Sequence, residues 1–241
     1  MVKSTKYLIV VGGPTAAGKT SLALDLAEHL GTEILSADSR QFYQEMHIGN
    51  ARPGAEELAR VRHHFIADRS IHQPLSAGAF AREAQLILEQ IYQQQDFAIL
   101  VGGSGLFIRA LTEGLNTFPE VSADTRKRVD DLFEQGGLVA LQEAVAAADP
   151  TYWEEVDQAN PARLRRALEV CWSGDQPYSA YRDQPAAELP FTPIFLQPSW
   201  PREQLYARIH QRIDIMLAEG LEAEARSLMA HRDQMAAKKW A

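Results

Sequence analysis

The sequence predicts an α/β protein, a parallel sheet with helices on its faces and a separate helical insert, and three observations carry that expectation. Short apolar runs bounded by glycine alternate with amphipathic stretches of helical period; a glycine loop joins the first such pair; and from about Leu115 to about Leu189 no strand-like run appears. Composition permits this. At 241 residues, 46% hydrophobic and 23% charged, with 15 Gly and 12 Pro, the chain can bury a core, and neither disorder nor a collagen-like repeat fits.

Each element follows from its local pattern. Lys6 to Val11 is rich in apolar and β-branched residues and runs into Gly12-Gly13, as a strand buried on both faces does. Lys19 to Leu30 places Leu22, Ala23, Leu26, Ala27 and Leu30 on one helical stripe, which Gly31 ends. Glu33 to Leu35 reads as a second strand ending at Ser36-Ala37-Asp38-Ser39, Phe80 to Gln95 as a helix, and Phe97 to Val101 as a strand closed by Gly102-Gly103. Strands alternating with helices imply right-handed crossovers. Helix-like segments separated by Gly136-Gly137, Asp149-Pro150, Asn160-Pro161 and Gln176-Pro177 make up the insert; a strand within Pro193 to Gln197 and a helix from about Arg202 to Glu219, stopped by Gly220, resume the α/β pattern. The expected domains are therefore core 1–114, insert 115–189 and core 190–241.

Charge and cysteine usage exclude several classes. Lys plus Arg number 24 against 32 Asp plus Glu, net −8, so a polyanion must meet a local basic patch rather than a global positive field. Cys171 is the only cysteine, which rules out an internal disulfide and a Cys-rich zinc site and suits a reducing compartment. The apolar run Tyr7 to Val11 is too short for a signal peptide, which takes about 7 to 15 apolar residues, or for a membrane span of about 20. A cytoplasmic protein with no membrane partner is expected.

Gly13-Pro14-Thr15-Ala16-Ala17-Gly18-Lys19-Thr20 satisfies G-x-x-x-x-G-K-[ST] between an expected buried strand and an amphipathic helix, which makes this a P-loop core. The glycines let backbone N–H groups turn around an anionic oxygen, the helix adds its N-terminal partial charge, Lys19 neutralises phosphate, and Thr20 can hold Mg²⁺. The slot after the Phe97 to Val101 strand, where a P-loop nucleotidase carries its Walker-B Asp, holds Gly102. That lowers a motor or switch function. Asp38, leaving the second strand at the carboxyl end of the sheet, is the best candidate for a catalytic carboxylate. Capping of a short helix explains its position equally well. His63 and His64 beside Asp68 lack a spaced third ligand and read as structural or capping residues rather than a metal site.

With both motifs in hand the chain resembles the tRNA dimethylallyltransferase family, the tRNA isopentenyltransferases. The resemblance runs through GPTAAGKT at Gly13 to Thr20, DSRQFY at Asp38 to Tyr43, IGNARP at Ile48 to Pro53, HHFIAD at His63 to Asp68, LSAGAF at Leu75 to Phe80, VGGSGLFI at Val101 to Ile108, NPARLRRALEV at Asn160 to Val170 and RIHQRIDIMLAEGLEAEA at Arg208 to Ala225. It implies a P-loop core with a helical insert that grips the anticodon stem-loop. It also implies transfer of a five-carbon prenyl group from dimethylallyl diphosphate to the exocyclic amine of the adenosine 3′-adjacent to the anticodon.

Residue by residue, the resemblance assigns the diphosphate to Gly13, Pro14, Thr15, Ala16, Ala17, Gly18, Lys19 and Thr20, with Mg²⁺ on Thr20. It assigns proton abstraction to Asp38 and stabilisation of the leaving group to Thr15, Arg212 and Arg208. The tRNA falls to Asp38, Ser39, Arg40 and Gln41 at the target base, to Ser104 and Arg126 nearby, and to Ala162, Arg163, Leu164, Arg165 and Arg166. Arg126-Lys127-Arg128 and Arg163, Arg165 and Arg166 concentrate the basic residues of an otherwise acidic insert, as phosphate contacts would, although a solvated helix face gives the same pattern. Ser104 stands where the family has Thr, and Asn50-Ala51-Arg52 where it has Thr-Ala-Lys. The family match fades after His231-Arg232, so the chain is expected to lack the family's C-terminal part. A monomer is expected. The competing functions are a small-molecule or nucleotide kinase, an adenylate isopentenyltransferase and a tRNA-binding remnant without activity.

Overall fold

A computed structural model describes residues 5–114, 118–182 and 188–232. The insert boundary expected at Leu115 and the segment Ala236 to Ala241 lie outside the described residues. The elements are β1 (Tyr7–Val11), α1 (Lys19–Leu30), β2 (Ile34–Ser36), α2 (Ala55–Arg60), β3 (His63–His64), α3 (Ala77–Ile91), β4 (Phe97–Val101), α4 (Gly105–Thr112), α5 (Ala123–Ala148), α6 (Pro150–Glu155), α7 (Pro161–Cys171), α8 (Tyr178–Arg182), β5 (Thr192–Leu196), α9 (Arg202–Glu219) and α10 (Leu221–Met229). Contacts group them into two compact units, Met1–Gly114 with Glu188–Ala241, and Leu115–Ala187.

The first unit is built on one sheet in the order β3-β2-β4-β1-β5, every neighbouring pair parallel. Because strand side chains alternate, the same strands feed two cores. Leu8, Val10, Leu35, Ala98 and Leu100 pack with Phe80, Ala84 and Leu88 of α3 and Phe107 and Leu111 of α4. Ile9, Val11, Ile34, Ile99 and Val101 pack with Ala23, Leu24 and Ala27 of α1. Each fully buried Leu, Ile or Phe contributes roughly 1.5–3 kcal/mol, so the two central strands and their flanking helices anchor everything carried at the strand ends.

The second unit is helical. Val129, Leu141 and Val145 of α5 meet Leu164, Ala167 and Leu168 of α7 in its core. Gly137 (φ 61°, ψ −152°) lies outside helical geometry and divides α5 into two helical segments across a kink, the break expected at Gly136-Gly137. Asn160 caps α7 by accepting from the amides of Ala162 and Arg163, with Pro161 at the first helical position. The buried carboxylate of Asp149 accepts from Tyr152 N, Ser179 N and Ser179 Oγ, tying α6 to α8.

Four elements were not read from the sequence, and each has a physical reason. β3 is two histidines held as a strand only by pairing with Ile34 and Leu35. α10 restarts directly behind Gly220 (φ 103°), which caps α9 and opens the next helix at once. α2 and α4 are short, and in α4 the residues Gly105-Leu-Phe-Ile follow two glycines that read as a strand ending. α3 begins at Ala77, not Phe80, because Ser76 caps it by accepting from Ala79 N, and it ends at Ile91. No helix among the described residues is long and apolar enough to cross a membrane.

Candidate active site

Three elements converge at the carboxyl ends of β1, β2 and β4. The first is the loop from β1 into α1, where Gly13 (φ 128°), Ala16 (φ 62°) and Gly18 (φ 85°) adopt left-handed backbone. For alanine that conformation costs about 1–2 kcal/mol, and the loop is braced from outside. Arg208 Nε donates to Ala16 O at 2.8 Å and Trp200 Nε1 donates to Ala17 O at 2.9 Å, while the Arg208 guanidinium lies 4.4 Å from the centre of the Trp200 ring. Gly18 gives α1 no side-chain cap, which leaves its first-turn amides to an anion. Lys19 Nζ rests on Pro14 O at 2.7 Å.

The second element is the chain leaving β2. Ala37 N donates to Val101 O at 2.7 Å and Ser104 N to Ala37 O at 3.2 Å. A Cβ on Gly102 would lie 2.2 Å from Ala37 O. The slot of a Walker-B carboxylate is therefore filled by the backbone of Ala37, and the carboxylate of this site comes from β2 as Asp38. Asp38 Oδ1 accepts from Arg40 N at 3.0 Å. No helix begins here, the next being α2 at Ala55, so of the two explanations of Asp38 the helix cap is not found. Gln41 is anchored by Ser36 Oγ, which donates to its Oε1 at 2.9 Å, and by its own donation to the carbonyls of Asn50 and Ala51.

The third element is α9. Arg208, Gln211, Arg212 and Ile215, spaced as one helical face, complete a cavity of about 460 Å³ with Thr15 to Ser21, Ser36, Asp38, Gln41 and Gly102. Among the described residues neither Lys19, Arg208 nor Arg212 has a carboxylate within ion-pair distance, whereas Arg60 and Arg69 each have two. Arg212 Nε is buried without a hydrogen-bond partner. Burial, reinforced by the Arg212 charge and opposed by Asp38, pulls the Lys19 pKa below its ordinary value; burial lowers that of Arg212 too, again opposed by Asp38. Cations held at this cost in one cavity are a receptor for an anion with several charges.

The structure thus gathers Thr15, Ala16, Ala17, Gly18, Lys19, Thr20, Asp38, Gln41, Arg208 and Arg212 around one cavity. Gly13, Pro14, Ser39, Arg40 and Ser104 flank it without lining it. Ser39 and Arg40 are exposed, and Ser104 precedes α4. Arg126, Ala162, Arg163, Arg165 and Arg166 belong to the second unit. Leu164 needs correction as an RNA contact: it is 0% exposed, its side chain spent on the core of that unit. His63 also lines the cavity; burial lowers its pKa, and its Nδ1 bonds Val61 O at 2.8 Å. His64 Nε2 bonds Glu33 instead, at 2.6 Å, and no cluster of three or more His, Cys, Asp or Glu suited to a metal exists among the described residues. Trp200 and Gln211 went unread in the sequence. The helical period from Arg208 and Arg212 points to Gln211; nothing around Ser199-Trp200-Pro201 marks the tryptophan.

Fold and cavity define a P-loop α/β protein whose pocket sets cations without ion-pair partners beside the carboxylates of Asp38 and of Glu57, the latter engaged by Gly54 N. The chain belongs to the IPP transferase family, whose model matches residues 41–240. It is similar to the tRNA dimethylallyltransferase of Christiangramia forsetii (43% identical over 229 residues, 95% of this chain and 76% of the relative) and to that of Flavobacterium johnsoniae (41% over 233 residues, 94% and 75%). Among solved structures, the full-length tRNA isopentenylpyrophosphate transferase of Bacillus halodurans superposes with a TM-score of 0.61 at 30% identity, covering 94% of this chain and 71% of the other. A eukaryotic dimethylallyltransferase acting on tRNA shares the fold, with a TM-score of 0.79 at 24% identity over 98% of this chain and 58% of that one.

Proposed function

We propose that this chain is a tRNA dimethylallyltransferase, moving a dimethylallyl group from dimethylallyl diphosphate to the exocyclic amine (N6) of the adenosine 3′-adjacent to the anticodon. The observation that carries the chemistry is the convergence of Lys19, Arg208 and Arg212, without carboxylate partners, on a cavity that also contains Asp38. An adenine amine is a weak nucleophile and gains from a positioned base; an allylic carbon parts readily from diphosphate once the departing charge is met. The amine nitrogen bonds the prenyl C1 as the C1–O bond breaks, and the electron pair leaves on the diphosphate. Asp38 takes the proton from nitrogen. The loop amides, Thr15 Oγ1, Lys19, Arg208 and Arg212 receive the growing negative charge.

Mg²⁺ is the proposed cofactor, and the residues present suit it: Mg²⁺ keeps several waters and needs as little as one protein oxygen beside phosphate ligands, here Thr20 Oγ1, which lines the cavity. When bound it would neutralise charge on the diphosphate. The tRNA contacts proposed for the insert are Arg126, Ala162, Arg163, Arg165 and Arg166, with Ser39, Arg40, Gln41 and Ser104 at the core; a monomer in the cytoplasm completes the proposal. Labelled dimethylallyl diphosphate offered to tRNA, AMP and ATP in parallel tests it. Label on the anticodon-adjacent adenosine with release of diphosphate is expected; label on AMP alone, or phosphate transfer from ATP without prenyl transfer, contradicts it.

A further inference from the structure

Beyond Arg208 and Arg212, the motif Arg208 to Ala225 carries a carboxylate that the proposed chemistry does not use. Glu224, on α10, reaches back to the loop behind Asp38 and accepts three consecutive backbone amides: His47 N and Ile48 N at 2.7 Å on Oε2, and Gly49 N at 2.8 Å on Oε1. Consecutive amides turned onto one anion form a nest, here filled by a carboxylate of the chain itself. Burial works to raise the Glu224 pKa, but the bonds from Ile48, Gly49 and His47 outweigh it and the group is held ionised. The seat fits closely at Gly49, where a Cβ would come within 3.2 Å of both Glu224 Oε1 and Leu221 Cδ1.

What the latch joins gives it meaning. On one side, the loop held by Glu224 continues into Asn50 and Ala51, whose carbonyls accept from Gln41, and Asn50 Nδ2 donates to Arg40 O and Met46 O. Asp38 and Gln41 lie in the same loop system. On the other side, α10 follows α9 with Gly220 as the joint, and α9 carries Arg208 and Arg212. Helix α9 buries no residue of its own, so little apolar packing fixes it. We infer that Glu224 is a positioning residue: its bonds to the 47–49 amides hold the arginine-bearing helix in register with the loop that carries Asp38, so that proton acceptor and leaving-group cations act on one substrate geometry. This rests on the proposed prenyl transfer.

A misplacement of about 1 Å at the reacting groups can cost about 10²-fold in rate, so Glu224→Ala is expected to slow single-turnover transfer by one to two orders of magnitude. Glu224→Gln, which keeps the shape and one acceptor oxygen, should recover part of that loss, and Gly49→Ala should mimic it. The readout that a purely structural residue would not move is coupling. Combined with Asp38→Asn, Glu224→Ala should cost far less than it does alone, because a misplaced base matters little once the base is gone. Full additivity overturns the inference, as does wild-type transfer by Glu224→Ala. Hydrogen exchange with inorganic diphosphate as probe gives an arm independent of prenyl transfer. In the wild-type chain diphosphate bound at the loop should slow exchange at 47–49, and in Glu224→Ala it should not. If the wild-type chain transfers no prenyl group, the functional proposal fails while this arm still decides the latch: loss of the transmitted protection supports it, and equal protection in both chains overturns it.

Discussion

The cations of the cavity and most arginines of the helical unit are treated differently. In the cavity of the first unit, Lys19 and Arg212 are partly buried, Arg208 is exposed and stacked on Trp200, and none of the three has a carboxylate within ion-pair distance among the described residues. In the helical unit, Arg165 pairs with Asp130 at 3.3 Å and lies 4.1 Å from the Phe133 ring, Arg166 pairs with Glu169 at 3.6 Å, Arg182 pairs with Glu155 at 3.2 Å, and Arg128 stacks 4.0 Å over Trp172. Charges left unpaired in a cavity are stored for a ligand and weaken the empty fold; charges paired and stacked on a surface hold their own helices and have less left for a partner. The same residue type therefore reports function in the cavity and mostly architecture in the helical unit.

The largest break in this contrast comes from Lys19→Ala. Removing one preorganised charge-stabilising group costs about 10²–10³ in rate, and Lys19 also seats the diphosphate, so transfer should fall by at least that factor with no loss of thermal stability. Turnover near wild type at saturating donor would show that the loop is not the diphosphate site. Leu164→Ala should do the reverse: about 2–5 kcal/mol of stability lost from the insert core, read by denaturant unfolding, with no change in donor binding by the first unit.

Within the insert, Arg163 is exposed and has no ion pair among the described residues, unlike Arg165 and Arg166. Arg163→Ala should therefore weaken tRNA binding and flatten its salt dependence by roughly 0.7–0.9 in slope, and Arg165→Ala should flatten it less while costing more stability. Equal slopes for the two variants would remove the distinction between paired and unpaired arginines. The smallest effect is on pH. Because Lys19 is depressed in the folded protein, its ammonium is a liability below that folded value, and the liability disappears as pH rises through it towards the ordinary 10.5. Any stability advantage of Lys19→Met over wild type should shrink across that rise, followed by chemical unfolding at a series of pH values. An advantage that grows instead would reverse the assigned direction.

What could be read in advance follows the same division. β1, α1, β4 and α9 were placed within a residue because burial on both sheet faces and the helical stripe leave periodic marks, and β2 was displaced by one because three residues are too few to fix an end. The cavity was legible where chemistry is compressed into a local motif, as at Gly13 to Thr20, or emerges beside it, as at Asp38. It was not legible where function depends on contacts far apart in sequence. Trp200 bracing Ala17 and Glu224 seated on His47, Ile48 and Gly49 leave no local signature, and Leu164, read inside a basic motif, is core because helical phase turns it inward.

The central claim is that Asp38 takes a proton from the amine while the unpaired cations take the leaving charge, and Asp38→Asn tests it most directly. The amide keeps the shape of the carboxylate and removes its basicity. In single-turnover transfer to an anticodon stem-loop, with donor binding titrated separately, the rate should drop by about 10² to 10⁴, or roughly 3 to 5 kcal/mol, with diphosphate affinity nearly unchanged. Transfer at the wild-type rate, or a collapse of donor binding in place of the rate, would contradict it.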